Sequence, residues 1–161
     1  MADSVTWKSW EELVVGQAVT TQTVTVTETH VVNWSSLTGD WFEQHTSEEY
    51  ARGTIFRRRV AHGPLTFALA IGLAYMAGYV NKDWVIAWLG AEKLRLPKPV
   101  FIGDTVHVEL RVLDKRETRR PDRGIIVLEY DVKNQDDETV LIFESKLMAS
   151  RVPRQQHSES V

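Results

Sequence analysis

Between residues 63 and 80 the chain reads GPLTFALAIGLAYMAGYV, without one charged side chain. No other stretch restricts the possible folds so tightly. A membrane-crossing helix needs about 20 consecutive apolar residues. This run only approaches that length, and it carries Thr66, Tyr75 and the glycines Gly63, Gly72 and Gly78. A helix apolar on every side can equally be one enclosed inside a soluble fold. Strand-like sequence lies on both sides of it, and Pro64 suits the first turn of a helix. The expectation is therefore a long helix buried by a sheet, with no membrane partner.

The rest of the chain supplies that sheet. Residues 19–27 alternate Thr and Val with strong β-propensity. A short helix is predicted over 29–37, with Val31, Val32, Trp34 and Leu37 as its apolar members and Gly39 as its C-cap. Ser47 or Thr46 caps a second short helix at 47–52, with acids in its first turn. After the apolar helix come strands at 84–96, 105–112, 124–133 and 140–150, with Pro97 and Pro99 closing the first and turns at 120–124 and 134–138. In 105–112, Val106, Val108, Leu110 and Val112 face one way and His107, Glu109 and Arg111 the other. Consecutive strands joined by turns pair antiparallel, and helices segregated to one face give an α+β layout. The 161 residues fit one domain over 1–152, with 153–161 as a polar, disordered tail.

Composition narrows the functional classes. A net charge of -3 gives no electrostatic reason to bind nucleic acid, and Arg57-Arg58-Arg59 is the one arginine triplet. The absence of cysteine excludes disulfides and thiolate chemistry. The segment MADSVTW has no basic start followed by an apolar run, so a cytoplasmic protein is expected. No histidine pair has helical or hairpin ligand spacing, so no metal site is expected.

The informative stretch is LTGDWFEQH at 37–45, followed by VAHG at 60–63. A carboxylate and an imidazole are the usual acid–base pair near neutral pH. Asp40 follows a helix-terminating glycine, and His45 lies five residues on, across a loop that can turn both toward one point. The first N–H groups of the helix at Gly63 are unsatisfied donors at the positive end of a dipole, suited to a developing oxyanion. Glycine there lets a substrate oxygen approach the backbone.

These pieces resemble the MaoC-like dehydratases, which include the (R)-specific enoyl-CoA hydratases. Their motif runs L-T-G-D, then N-P-x-H, then A-H-G opening the helix of a hot-dog fold. Thr38-Gly39-Asp40, His45 and Ala61-His62-Gly63 stand at the matching spacings, and KPVFIGDT at 98–105 resembles the family's strand entry. The resemblance spans roughly residues 17–151. It implies a hot-dog fold and reversible syn addition of water to a 2-enoyl-CoA, giving a 3-hydroxyacyl-CoA. In that reading Asp40 and His45 hold the water and the Gly63 amide serves the oxyanion. CoA arrives as part of the acyl-CoA substrate, no separate cofactor is needed, and the protein is a homodimer or a higher homo-oligomer. The chain departs from the family where Phe42-Glu43 replaces Asn-Pro and where Ala70 and Ile71 occupy a stretch that in some hydratases carries a serine. Both departures bear on acyl specificity.

Other residues carry two readings. Arg57, Arg58 and Arg59 are a solvated run or phosphate ligands for the CoA nucleotide, whose geometry guanidinium forks match; Arg95 and Lys98 are weaker candidates. Trp41 and Phe42 line an acyl pocket or belong to the core. His62 supports the helix entry or touches substrate, while His30, His107 and His157 read as surface residues. Two other functions compete. A hot-dog thioesterase places its carboxylate on or beside the long helix, and 64–80 contains no Asp or Glu. A non-catalytic acyl-CoA-binding module is compatible with Phe42-Glu43.

Overall fold

The computed structural model describes residues 7 and 9–151; the expected tail at 153–161 and most of the leading segment lie outside them. The elements run β1 (Ala18–Thr20), β2 (Val24–Thr25), α1 (Glu28–Thr38), α2 (Glu43–Thr46), α3 (Glu48–Arg52), α4 (Gly63–Met76), β3 (Val85–Arg95), β4 (Thr105–Glu117), β5 (Arg123–Lys133) and β6 (Thr139–Ser150). One antiparallel sheet has the order β1-β4-β5-β6-β3, with β2 added to β4. It wraps α4, and the result is the α+β hot-dog fold expected from the sequence.

Alternation explains the sheet. Val106, Val108, Leu110 and Val112 of β4 are buried, while His107, Glu109 and Arg111 are not. On β5 and β6 the same period buries Leu128, Tyr130, Val132, Phe143 and Leu147. The Tyr130 and Phe143 rings stack with centroids 4.5 Å apart, and Phe67 of α4 packs on Phe143 at 4.7 Å. Helix and sheet thus share an aromatic seam, the geometry in which ring pairs attract beyond their buried area.

Two expectations change. The strand expected at 19–27 is divided into β1 and β2. At the break Thr21 bonds β4 through both its groups: its N–H donates to the Val108 carbonyl (2.9 Å) and its hydroxyl accepts from the Val108 N–H (3.0 Å). That side chain takes over a ladder position and lets the chain bend. Nor is α4 enclosed on all sides. Leu65, Thr66, Ala70, Leu73 and Ala74 are buried, but Tyr75 and Met76 in its last turn are 57% and 68% exposed. Among the described residues, no helix is long and apolar enough to cross a membrane.

Candidate active site

Three short segments converge above the start of α4. The first is the end of α1. Gly39 takes φ 78°, a left-handed value that suits glycine, and its N–H donates to the Ser35 carbonyl (2.8 Å). The Thr38 hydroxyl donates to the Trp34 carbonyl (2.7 Å) and accepts the Asp40 N–H (3.2 Å). Asp40 is thereby turned back over the helix end, and its Oδ1 accepts the Phe42 N–H (3.2 Å).

The second segment is the single turn of α2, which carries His45. Its Nδ1 donates to the Val60 carbonyl at 2.7 Å. That bond fixes the tautomer and leaves Nε2 as the free acceptor of a neutral ring. The third segment is 60–62, pinned to 100–101 by a bridge between Val60 and Phe101 and by the Ala61 N–H donating to the Val100 carbonyl (2.7 Å). It leads directly into α4, where the Thr66 N–H is bonded back to the His62 carbonyl (3.1 Å). The Gly63 amide precedes that first helical bond and remains among the orphan donors of a helix start.

His62 lies beneath both acid–base candidates. Its side chain is 0% exposed, and its Nε2 lies 3.1 Å from the Asp40 carbonyl oxygen and 3.9 Å from Asp40 Oδ2. Its ring stacks on that of His45 with centroids 3.8 Å apart and planes inclined by 31°. Burial pushes the His62 pKa below its ordinary value. The bond to the Asp40 carbonyl opposes that push, His45 adds to it, and the Asp40 carboxylate weakly opposes it. A neutral His62 with its proton on Nε2 satisfies this geometry.

His45 forms part of the wall of a cleft of about 400 Å³, together with Phe42, Gly63, Thr66, Leu96 and Val100. Apolar side chains dominate that wall, which suits an acyl chain. A Cβ on Gly63 would stand 3.0 Å from Leu96 Cδ1, so glycine keeps the cleft open beside the helix start. Asp40 is not part of the cleft wall; it approaches the site through His45 and His62, with its side chain 48% exposed. One carboxylate oxygen of Asp40 and one ring nitrogen each of His45 and His62 lie within 4.8 Å of one another. Gaps of that size accommodate a bridging water.

Folding therefore unites Asp40, His45, Gly63 and Phe42, and it separates other expected residues. Trp41 is exposed and is not part of the cleft wall. His62, read from the sequence as a support of the helix entry or a substrate contact, is sealed from solvent, which favours the first reading. Arg59 is committed elsewhere: it bonds both carboxylate oxygens of Glu28 (2.8 and 2.7 Å) and Oε1 of Glu48 (2.8 Å). The hydrogen bonds from Arg59 hold Glu28 below its usual carboxylate range. Arg57 has φ 61° and reaches the Arg52 carbonyl. Arg58 lies over the Phe101 ring at 3.6 Å and borders a smaller pocket that shares Lys98 and Pro99 with the cleft. Of the three arginines, Arg58 is the one that borders a pocket next to the cleft. Thr66, read from the sequence only as a polar interruption of the apolar run, is part of the cleft wall.

Sequence spacing gave no metal triad, whereas folding brings together Asp40, His45 and His62. One nitrogen of each ring is already engaged there, His45 Nδ1 with the Val60 carbonyl and His62 Nε2 with the Asp40 carbonyl. Another three-ligand group, His107, Glu109 and Asp137, already receives the Lys133 ammonium at 3.0 Å from Glu109 and 3.3 Å from Asp137.

Comparison with known proteins identifies the family and the fold. Residues 12–134 match the family model described as MaoC like domain. Protein MaoC of Klebsiella aerogenes is 39% identical over 117 residues, covering 73% of this chain but 33% of that protein, so the chain spans about a third of its length. The (R)-specific enoyl-CoA hydratase of Rhodospirillum rubrum is 30% identical over 117 residues, covering 69% of this chain and 74% of the other. A solved structure of a monoamine oxidase regulatory protein from Archaeoglobus superposes with a TM-score of 0.84 at 33% identity, over 90% of this chain and 95% of that one. The chain belongs to the MaoC-like domain family.

Proposed function

We propose that the protein is an enoyl-CoA hydratase, acting reversibly as a 3-hydroxyacyl-CoA dehydratase. The observation that carries the proposal is the approach of Asp40 and His45, within reach of one water, at a cleft whose wall contains Gly63 at the start of α4. In hydration the water oxygen bonds to C3 while one water proton leaves to the Asp40–His45 pair, and that pair returns a proton to C2 on the same face. Charge collects meanwhile on the thioester oxygen, where the Gly63 N–H and the α4 dipole stabilise it. The name carried by the Rhodospirillum relative supports this reading. No cofactor is required beyond the CoA of the substrate. Cytoplasmic location follows from the same reading. So does a homodimer, for β3 is a sheet edge that exposes Trp88 and Leu89.

A second reading, a non-catalytic acyl-CoA-binding module, draws on Phe42, whose ring stands edge-on to His45 at 5.8 Å where the family carries Asn. One experiment separates them. Enoyl-CoAs of short, long, branched and carboxylated acyl groups are followed by loss of the enoyl-thioester ultraviolet band, with wild type and Asp40→Asn. The hydratase reading expects turnover that falls about 10²- to 10⁴-fold in the variant, the usual contribution of general acid–base catalysis. Binding without turnover in both proteins favours the module. Release of free CoA thiol instead identifies a thioesterase.

A further inference from the structure

Beneath the Asp40–His45 pair, His62 is too deeply buried to touch substrate, yet it contacts both members. We infer that His62 is a positioning residue: its Nε2–H anchors the Asp40 main chain while its ring supports the His45 imidazole, which sets the spacing between carboxylate and base. This rests on the hydratase reading of the site.

The contacts form a closed set. His62 Nε2 lies 3.1 Å from the Asp40 carbonyl oxygen, and the Ser35 hydroxyl lies 3.5 Å from the same nitrogen. The His62 and His45 rings are in face contact at 3.8 Å, and the Trp34 ring borders His62 at 6.5 Å. His45 is held from its far side by the Val60 carbonyl, two residues before His62. Both histidines are thus fixed by main-chain oxygens, and each ring blocks rotation of the other. A catalytic pair gains most of its rate from such pre-set geometry, and a displacement of about 1 Å can cost on the order of 100-fold.

His62 is also an unusual choice for a purely structural position. Its Nδ1 is buried without a hydrogen-bond partner. A buried unsatisfied nitrogen is rare in native proteins and calls for a reason; an aromatic or aliphatic side chain would fill the space without it. The compensating gain here is the Nε2–H bond to the Asp40 carbonyl, which an apolar residue cannot make. His45 and Asp40 are the charged or titratable groups that act on His62, and burial keeps its ring neutral. A neutral ring avoids repulsion with His45 when the latter carries a proton.

Two variants and one spectrum test the inference. His62→Phe keeps a ring beneath His45 and removes the donor, while His62→Gln keeps a donor at a similar reach. In hydratase assays of folded protein, His62→Phe is expected to lower kcat by about 10- to 100-fold with KM changed less than about twofold. His62→Gln is expected to recover most of that loss. Unaltered kcat in His62→Phe, or kcat and KM moving together in both variants, overturns the inference. Independently of activity, nitrogen-resolved NMR of the wild-type imidazoles should find His62 neutral with its proton on Nε2 at neutral pH. A His62 proton on Nδ1 overturns the inference even if the protein hydrates no enoyl-CoA, whereas absent turnover with the expected tautomer counts against the hydratase reading alone.

Discussion

Arg59→Met tests whether the arginine cluster before α4 is scaffold or substrate site. Arg59 is 16% exposed and bridges two elements: a two-pronged contact to Glu28 in α1 at 2.8 and 2.7 Å, and a single bond to Glu48 in α3 at 2.8 Å. Methionine preserves the packing of the side-chain stem and removes the charge. Exposed ion pairs contribute about 0.2–1 kcal/mol each. Both glutamates are 52% exposed, which lowers the value by screening, while the two-pronged geometry raises it. Loss of both contacts should therefore cost about 1–2 kcal/mol. For a domain of this size each kcal/mol moves Tm by about 2–4 °C, so a fall of about 2–8 °C is expected. The assay is thermal unfolding of wild type, Arg59→Met, Glu28→Gln and the double variant, the last falling clearly short of the sum because the residues touch. KM for acyl-CoA should stay within about twofold, since all three nitrogens of this guanidinium already donate to Glu28 and Glu48. An unchanged Tm with a roughly tenfold rise in KM would refute the argument and return Arg59 to the nucleotide.

The same network predicts an acid effect. Arg59 depresses the Glu28 pKa in the folded state, so its stabilisation is complete above the ordinary value of 4.5 and is lost as pH falls through the folded value; Glu28→Gln should flatten the Tm-versus-pH curve there. His62 acts in a higher window. Its folded pKa lies below 6.5, so the unfolded chain binds the proton first and stability declines as pH drops from about 6.5 toward the folded value. His62→Phe should remove that slope, as read by Tm against pH. Gly124→Ala should destabilise by about 1–3 kcal/mol through overpacking. Its Cβ would meet Trp10 Nε1 at 2.6 Å and the Arg116 carbonyl oxygen at 2.9 Å, and a denaturant midpoint equal to wild type would contradict this.

Local signals made much of the fold legible. The period of β4, the glycine ending α1, the Ser47 cap of α3, whose hydroxyl accepts the Tyr50 N–H, and the proline opening α4 all depend on neighbouring residues. The expectation that Asp40, His45 and Gly63 act together rests on a different signal, the spacing of a recurring family motif, and the fold brings Asp40 and His45 close and puts His45 and Gly63 in one cleft wall. The misses share a physical cause. Thr21 divides its strand because it finds Val108, and Arg59 becomes a strut because it finds Glu28, 31 positions away. The face contact of His45 with His62 depends on two segments that meet only after α4 docks. β3 extends to Arg95 with three register shifts along β6, and Lys93 there takes φ 53°, neither of which its sequence announces.

Main-chain oxygens hold both histidines: the Val60 carbonyl binds His45 and the Asp40 carbonyl binds His62. A carbonyl survives replacement of its own side chain, so these anchors do not constrain which residues occupy the surrounding loop. Of the residues between Asp40 and His45, Trp41 and Phe42 are exposed, so they can change without removing either anchor, whereas Gln44 is buried and donates to the Arg58 carbonyl. On the hydratase reading, substitutions at Phe42 in the cleft wall would then alter acyl preference while both anchors stay in place.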